Sequence, residues 1–155
     1  MSSLDTSTLL HPKMIFSQTT EYALRAVVLL ADAKREAKTT QQIAEIAQIP
    51  KDYLSKILQN LGRAGIVVSK RGINGGFVLQ RPAAQITLLE VVNAIDPIKR
   101  IKTCPLKLKS HGKNLCPLHQ RLDQSIASVE SALASSTLAE LLNTQSSSHP
   151  LCEHA

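Results

Sequence analysis

The sequence predicts a mainly α-helical protein with a small β-hairpin and a long C-terminal helix. Apolar residues recur at helical spacing early in the chain, an Asn-Gly pair separates two short β-prone runs, and a narrow apolar seam follows residue 117. With 155 residues and 43% hydrophobic content, the chain can bury one core and carry one appendage. The longest apolar run has six residues. Crossing a bilayer takes roughly twenty residues, so no membrane association is expected.

The first three predicted elements are helices. Apolar side chains recur every three or four residues from about residue 19 to 37, which predicts the first helix. Thr39 or Thr40 suits the N-cap of a second helix, and Ile49-Pro50 ends it. A third helix is predicted from Lys51 to about residue 64, because a glycine follows directly. The second and third helices, joined by a tight turn, form a helix-turn-helix.

A hairpin and a short helix come next. Residues 66–69 and 77–79 read as two strands around the Asn74-Gly75 turn, which makes the hairpin a wing beside the helix-turn-helix. The pattern Thr87-x-x-Glu90 is a capping box that begins a short helix, and Asp96-Pro97 ends it. The first half of the chain is therefore predicted to be a winged helix-turn-helix.

The C-terminal part is dominated by one amphipathic helix beginning near Pro117. Its seam favours pairing with a partner helix and consists of Leu118, Leu122, Ile126, Val129 and Leu133. A second capping box, Thr137-x-x-Glu140, starts a short final helix. The predicted divisions are a flexible extension that is no signal peptide (1–13), the winged domain (14–82), a short helix and cysteine loop (83–116), dimerisation helices (117–143) and a disordered tail (144–155).

The charge balance points to a polyanionic partner. The formal net charge is +6 and the pI about 9.4, which favours nucleic acid. In a helix-turn-helix, the start of the second helix meets base edges in the major groove of double-stranded DNA, while caps and wing hold phosphates. The candidate DNA-contacting residues are Thr39, Thr40, Lys51, Asp52, Tyr53, Ser55, Lys56, Lys70, Arg71, Asn74 and Gly75. The alternative is that the lysines form an ordinary solvated face and Tyr53 packs against the first helix.

The wing composition strengthens this interpretation. Lys70-Arg71 stands at the stem of a glycine-rich turn that can approach the minor groove closely. Glycine-rich loops also bind nucleotide phosphates. In the Walker pattern such a loop is followed by a helix, whereas Gly75-Gly76 is followed by residues with a strand-like pattern. A nucleotide site is therefore excluded.

These segments resemble the IscR, NsrR, RirA and CymR family of bacterial winged-helix repressors, over nearly all of the chain from Met14 to Leu142. The resembling segments are residues 16–26, 43–47, 53–61, 68–72 and 75–77. The resemblance implies a homodimer paired through the long C-terminal helix, a palindromic operator, and switching by a loop-bound iron-sulfur cluster or by thiol chemistry. Such a regulator would sense iron-sulfur status, redox state or nitric oxide.

The cysteine loop carries the candidate sensing chemistry. Three cysteines are too few for a disulfide scaffold and indicate metal, cluster or redox chemistry in a reducing cytosol, which predicts a cytoplasmic protein. The pattern is Cys104-x5-Ser110-x5-Cys116-x2-His119. Thiolates are the usual ligands of iron-sulfur clusters, and imidazole can replace some of them.

The resemblance extends to the ligands, with one departure. The cluster-binding members carry a third cysteine where this chain has Ser110. By resemblance, a [2Fe-2S] cluster would be held by Cys104, Cys116 and a histidine. His119 and His111, which adjoins Ser110, are the histidine candidates, and Glu21 from the other subunit is the best candidate for the fourth ligand.

Several alternatives stay open. The chain can be a cofactor-free switch that forms a Cys104 to Cys116 disulfide, since nearby lysines favour thiolates, but they favour an anionic cluster equally. It can also be a DNA binder that no longer senses, and a zinc site is a weaker option. His119 can be an ordinary residue near a helix N-terminus, and Glu21 can simply pair with Arg25 four positions on.

Two other functional classes are alternatives to transcription regulation. The first is a regulator that binds another protein through the seam and the cysteine loop. An enzyme with Cys104 or Cys116 as nucleophile and His119 as base is the other, but no oxyanion pocket or third group is evident. The sequence therefore predicts no enzymatic activity. Cys152 lies in the tail and is expected to be incidental.

Overall fold

The computed structural model describes residues 15–111, 114–145 and 150–151. The predicted N-terminal extension, Cys152 and most of the C-terminal tail lie outside these residues. The described elements, in chain order, are α1 (Gln18–Asp32), α2 (Thr40–Ile46), α3 (Lys51–Arg63), β1 (Val67–Lys70), β2 (Gly76–Leu79), α4 (Leu88–Ile95), α5 (Pro117–Ser135) and α6 (Leu138–Asn143). Short 3-10 turns lie at Ala83–Gln85 and Lys109–His111.

Helix α1 is shorter than the sequence pattern predicts. Ser17 caps its start by accepting a hydrogen bond from the backbone N–H of Thr20 at 3.2 Å. The helix ends at Asp32, five residues before the predicted end at residue 37, and the next residues turn to the left-handed region, with φ of 47° at Lys34 and 70° at Arg35. The chain leaves the helix here because it must reach the hairpin, where Lys38 pairs with Phe77.

The helix-turn-helix forms as predicted. Thr39 caps α2 in a capping box with Gln42, which identifies Thr39 rather than Thr40 as the N-cap. Helix α3 begins after Pro50 and ends at Arg63, and Gly65 with φ of 71° turns the chain towards the hairpin. The apolar stripe of α3 is buried in the core and consists of Leu54, Ile57, Leu58 and Leu61. Burial of this stripe leaves the opposite face of α3 in solvent.

The hairpin pairs β1 and β2 in antiparallel register, with Val67 opposite Leu79 and Lys70 opposite Gly76. Its bounds differ from the predicted strands by one residue, because the ladder extends to Lys70 and begins again at Gly76. Asn74 adopts φ of 62° in the turn, which suits the predicted Asn-Gly signal. Gly76 has φ of 144°, and a Cβ there would lie 2.4 Å from the carbonyl oxygen of Lys38, so a glycine is required where the wing meets the α1–α2 loop.

The second half of the chain returns to the same core. Both predicted capping boxes form, at Thr87 with Glu90 and at Thr137 with Glu140. The backbone N–H of Leu138 donates to the carbonyl of Ile86 at 3.0 Å, which ties the start of α6 to the segment before α4. Leu138 is fully buried and belongs to the core built around α1. Helix α6 is thus packed within the protomer.

Helix α5 is the exception to this packing. It is 19 residues long and buries none of them. Leu118 is 63% exposed and Leu122 is 47% exposed, whereas Ile126, Val129 and Leu133 are half-buried, so the first part of the predicted seam lies open to solvent. No helix in the described ranges is long and apolar enough to cross a membrane.

Candidate nucleic-acid interface and cysteine loop

The exposed face of α3 carries five candidate DNA-contacting residues in its first six positions. All five are solvent-exposed, and they are Lys51, Asp52, Tyr53, Ser55 and Lys56. Leu54 and Ile57, between and after them, are completely buried and hold the helix against the core. The alternation follows from helical geometry, since the buried stripe and the exposed residues lie on opposite faces. The first turns of α3 can therefore enter a groove without disturbing the core.

Tyr53 combines packing with exposure. Its ring meets that of Tyr22 edge to face, with centroids 5.9 Å apart and planes at 63°. Tyr22 is positioned in turn by Gln18, whose Nε2 donates to the phenol oxygen at 2.8 Å, and by the Arg25 guanidinium 5.6 Å from the ring centroid. Tyr53 nevertheless remains 53% exposed. Tyr53 therefore packs against α1 and still keeps its side chain accessible for a contact with DNA.

The wing presents backbone and cations to solvent. Lys70, Arg71 and Asn74 are exposed. A Cβ at Gly75 would lie 2.5 Å from the carbonyl oxygen of Lys70, so the turn can close only with glycine at this position. The turn is therefore tightly closed at its base, and its tip projects Ile73, which is 96% exposed, into solvent.

The start of α2 has fewer free hydrogen-bond donors for a phosphate than the sequence suggested. The backbone N–H of Thr39 is already bound by Gln42 Oε1 at 2.9 Å, and the Thr39 hydroxyl oxygen accepts from the N–H of Gln42 at 3.2 Å. The Thr39 hydroxyl hydrogen is the group left to donate to a phosphate. Thr40 is half-buried at the first position of the helix.

A basic cleft that the sequence did not indicate separates the wing from the α1–α2 loop. Its volume is about 770 Å³, and its lining includes Arg35, Lys38, Gln42, Lys70 and Asn74. Arg35 and Lys38 were not among the predicted contacts, because the pattern assigned Arg35 to the end of α1. The adjacent basic residues Lys34 and Arg35, directly before a helix-turn-helix, are the signal that could have indicated them.

In the cysteine loop, residues 104–116, the two thiols have different environments. Cys104 is only 7% exposed, whereas Cys116 is half-buried and is the N-cap of α5. Both are free thiols in this structure. Cys116 Sγ lies 3.2 Å from Nδ1 of His119. The structure therefore brings together the Cys116 and His119 side chains that the spacing places one helical turn apart.

His111 is the second candidate histidine. Its Nδ1 is buried and has no hydrogen-bond partner among the residues described. A buried imidazole nitrogen without a partner is costly unless it binds something, and it is a suitable metal donor. Ser110, at the place of the expected third cysteine, is exposed.

Glu21 is engaged elsewhere in this protomer. Its carboxylate accepts from Arg25 Nε at 2.7 Å, and the same guanidinium donates to the carbonyl of Ala47 at 3.3 Å. Within the described ranges, no three His, Cys, Asp or Glu side chains converge as a metal site. The donor types fit an iron-sulfur group, but the described part of one protomer does not gather them.

Comparison with known proteins identifies the family of the chain. The sequence profile of the Rrf2 family, described as iron-dependent transcriptional regulators, matches residues 16–144. The chain belongs to the Rrf2 family.

Relatives of this Rrf2-family chain are regulators. An HTH-type transcriptional regulator of Aquifex aeolicus (strain VF5) is 27% identical over 135 residues, which cover 85% of this chain and 94% of that protein. The structure of T. potens IscR superposes with a TM-score of 0.69 at 23% identity, covering 83% of this chain and 86% of that one. CymR, the global cysteine regulator of B. subtilis, has a TM-score of 0.68 at 23% identity, covering 83% and 96%.

These similarities confirm the predicted fold class, a winged helix-turn-helix followed by a long C-terminal helix. The Rrf2 family and the relatives are transcriptional regulators rather than enzymes, so the prediction of no enzymatic activity is also confirmed. At 23% identity the two solved structures establish the fold alone.

A contact between the segment before the cysteine loop and α5 was also missed from the sequence of this Rrf2-family protein. Arg100 donates to Asp123 through Nε at 2.7 Å and Nη2 at 2.6 Å, and Nη1 reaches Glu130 at 3.3 Å. The backbone N–H of Ile101 donates to the same Asp123 at 2.9 Å. The hydrogen bonds from Arg100 hold the pKa of the Asp123 carboxyl below its ordinary value. This contact could not be predicted from a local sequence pattern, because it joins residues 23 positions apart.

Proposed function

We propose that this Rrf2-family protein is a cytoplasmic homodimeric repressor that binds a palindromic DNA operator and changes its affinity through the cysteine loop. One observation carries the DNA-binding part: the exposed polar start of α3 lies beside a glycine-rich wing with exposed Lys70 and Arg71. Family membership supports it, since Rrf2 regulators act on transcription.

The proposed DNA contacts follow from the chemistry of each side chain. Lys51 and Lys56 would bind phosphate or guanine, Ser55 would meet a base edge, and Tyr53 would contact phosphate or a thymine methyl. Asp52 has the carboxylate that accepts from cytosine N4. Thr39 and Thr40 would contact phosphate. The wing would supply its contacts at the minor groove through Lys70, Arg71, Asn74 and Gly75.

The dimer proposal rests on the exposed part of the α5 seam, at Leu118 and Leu122, and on the apolar groove beside it. An apolar groove of about 410 Å³ runs between α5 and the start of α1, and its lining includes Phe16, Ile98, Ile126 and Val129. A two-fold contact buries the same patch on both subunits, which suits a single helix with one apolar seam. Two such subunits would present two copies of α3 to a palindromic operator.

The sensing proposal assigns an iron-sulfur cluster, [2Fe-2S] by resemblance, to Cys104, Cys116 and His119, with His111 or a second subunit's Glu21 completing the set. The buried unpartnered Nδ1 of His111 supports the fit. When bound, the cluster would supply one-electron redox chemistry and sensitivity to iron supply. The chain's part is to hold the Cys116 thiol at the first turn of α5, beside His119, so that a change in the loop reaches the dimer helix.

A cofactor-free thiol switch is the second candidate, supported by the two free thiols. Oxidation by hydrogen peroxide would join the Cys104 and Cys116 sulfurs in one disulfide, with the two thiol protons taken up as the O–O bond breaks to give two molecules of water. One of the solved relatives is an oxidized form of Staphylococcus aureus CymR, with a TM-score of 0.68. A partner-protein-binding regulator, which the sequence also allowed, has no specific structural observation in its favour.

Anaerobic purification separates the sensing candidates. Iron and sulfide counts with visible absorption would be measured on the wild-type chain, on Cys116→Ala and on the control Cys152→Ala. A coloured wild type and control with matched iron and sulfide, and a colourless Cys116→Ala, would support the cluster. A wild type that stays colourless after reconstitution would remove the cluster and leave the disulfide to be tested by mass spectrometry after peroxide treatment.

The DNA-binding part is tested separately by selecting duplexes from a random-sequence library with the wild-type protein. Selection of a two-fold symmetric site, with an affinity that falls linearly as log salt rises, is expected. No enrichment, or an affinity independent of salt, would overturn the proposal.

A further inference from the structure

The α1–α2 loop has an unusual backbone. Lys34 and Arg35, neither of them glycine, occupy the left-handed region consecutively, with φ of 47° and 70°. This conformation is unfavourable for side chains with a Cβ and persists only where the surrounding structure imposes it. Asparagine, aspartate or glycine would satisfy it at lower cost, so the presence of two long basic residues at this turn calls for a reason.

The surrounding structure imposes the turn through the wing. The Lys38 N–H donates to the Phe77 carbonyl at 3.1 Å, and the Phe77 N–H donates back to the Lys38 carbonyl at 2.8 Å. Gly76 packs so closely that a Cβ would lie 2.6 Å from the Lys38 carbonyl carbon. The loop and the wing are therefore joined as one rigid unit, with the basic cleft between them.

The cations along this cleft are not equivalent. Lys38 Nζ is held by Glu36 at 2.6 Å, and Glu36 is the one acidic side chain among the described lining residues. Arg35 of the α1–α2 loop and Lys70 of β1 line the same cleft, both are solvent-exposed, and neither has a side-chain partner within the described residues. Two unpaired cations on one cleft favour the binding of an anion there, and the guanidinium is the better donor to a phosphate because it can donate two parallel hydrogen bonds.

We propose that Arg35 and Lys70 hold one phosphate of the DNA backbone between the α1–α2 loop and the wing. The inference rests on the proposed DNA binding and adds to it a contact from the loop, outside the helix-turn-helix and the wing. Because the loop and wing are joined at Lys38, this phosphate contact sets the depth at which the wing meets its groove. The left-handed turn is the means by which Arg35 reaches the cleft.

The chain supplies a matched control. Lys34 adopts the same left-handed backbone and carries the same charge, but it does not line the cleft. Arg35→Gln and Lys34→Gln therefore remove one charge each from neighbouring positions of comparable strain. Any effect of overall charge is shared by the two variants, whereas loss of a specific phosphate contact belongs to Arg35→Gln alone.

The test uses the full-length protein and one duplex that the wild type selects from a random library, with fluorescence anisotropy followed across a series of KCl concentrations. Each lost phosphate contact lowers the slope of log affinity against log salt by about 0.9, so a dimer of Arg35→Gln should lose nearly two. Lys34→Gln should keep the wild-type slope. Arg35→Lys should keep the slope while binding more weakly than the wild type.

A second comparison asks whether the two cations share one phosphate. Lys70→Gln should behave as Arg35→Gln does, and the double variant should lose less than the sum of the two single losses. Thermal denaturation of each variant verifies folding.

The outcomes separate the two proposals. If the wild type shows no salt-dependent binding to any selected duplex, the proposed function fails. If the wild type binds but Arg35→Gln retains its slope, or Lys34→Gln loses as much, the phosphate clamp alone is overturned.

Discussion

The Cys116 thiol lies 3.2 Å from Nδ1 of His119, at the junction of the cysteine loop and the long helix α5. Cys116 is the N-cap of α5 and His119 belongs to its first turn. Because the exposed seam continues along the same helix, a chemical change at Cys116 acts directly on the element proposed to pair two subunits. The proposed sensing chemistry and the proposed dimer contact thus involve the same helix.

Replacement of His119 should reveal whether it serves as a ligand. We expect anaerobically purified His119→Ala to retain less than about half of the wild-type iron, because loss of one ligand weakens a cluster held by few donors. His119→Cys should restore the iron content with a shifted visible spectrum, since a thiolate replaces an imidazole. Ser110→Ala is the control and should match the wild type. Equal iron in His119→Ala and the wild type would exclude His119 as a ligand.

The seam of α5 predicts how the dimer can be broken. Leu122 is 47% exposed on the seam, so a carboxylate there would be buried without a partner in a two-fold contact. We expect Leu122→Glu to weaken dimerisation by about 3 kcal/mol or more. Sedimentation equilibrium would measure the shift, with Gln120→Glu as an exposed control outside the seam. A Leu122→Glu protein that dimerises as tightly as this control would place the interface elsewhere.

The Arg100–Asp123 contact predicts a pH-dependent stability. The pKa of Asp123 is lowered by its hydrogen bonds from Arg100, so the contact stabilises the fold above the ordinary carboxyl pKa and is lost as pH falls through the lowered value. In Arg100→Met the pKa of Asp123 should rise towards its ordinary value, as followed by NMR titration of the carboxyl carbon. Urea unfolding should separate variant and wild type at neutral pH and converge in acid. Arg121→Met is the control, and an unchanged Asp123 titration in Arg100→Met would contradict the contact.

Alanine substitutions at two glycines of the wing should separate the energetic cost of a steric clash from that of backbone strain. Gly76 and Gly72 both have positive φ, 144° and 99°, but a Cβ at Gly72 would meet nothing within 4 Å. Gly72→Ala should therefore cost about 1 kcal/mol of unfolding free energy through strain alone. Gly76→Ala should cost about 3 kcal/mol or more, because its Cβ collides with the Lys38 backbone. Urea denaturation measures both, and equal losses would show that the wing base is less tightly packed on the loop.

Helix α6 can be tested as part of the protomer core. Leu138 is fully buried, and Leu138→Ala should lower the unfolding free energy by about 2 to 5 kcal/mol. Leu118→Ala, at a position 63% exposed in the protomer, is the comparison and should affect dimerisation more than protomer unfolding. A Leu138→Ala protein as stable as the wild type would show that α6 is dispensable to the core.

The sequence by itself determined those features that depend on interactions between neighbouring residues. The starts of α4 and α6 are set by a hydroxyl and a carboxylate three residues apart, so both caps could be predicted from a short pattern, whereas at α2 the sequence left Thr39 and Thr40 as alternatives. The exposed start of α3 and the seam of α5 followed from helical periodicity, which likewise depends only on neighbouring residues. Fold class and Rrf2 membership were accessible for the same reason.

The tertiary structure decided the features that join distant segments. The periodic pattern of α1 continues past Asp32, but the pairing of Lys38 with Phe77 ends the helix early and creates the cleft between Arg35 and Lys70. The Arg25 guanidinium, whose pairing with Glu21 follows from the i,i+4 spacing, also donates to the carbonyl of Ala47, 22 positions away. These contacts depend on which surfaces meet when the core closes, and no pattern among neighbouring residues encodes that meeting.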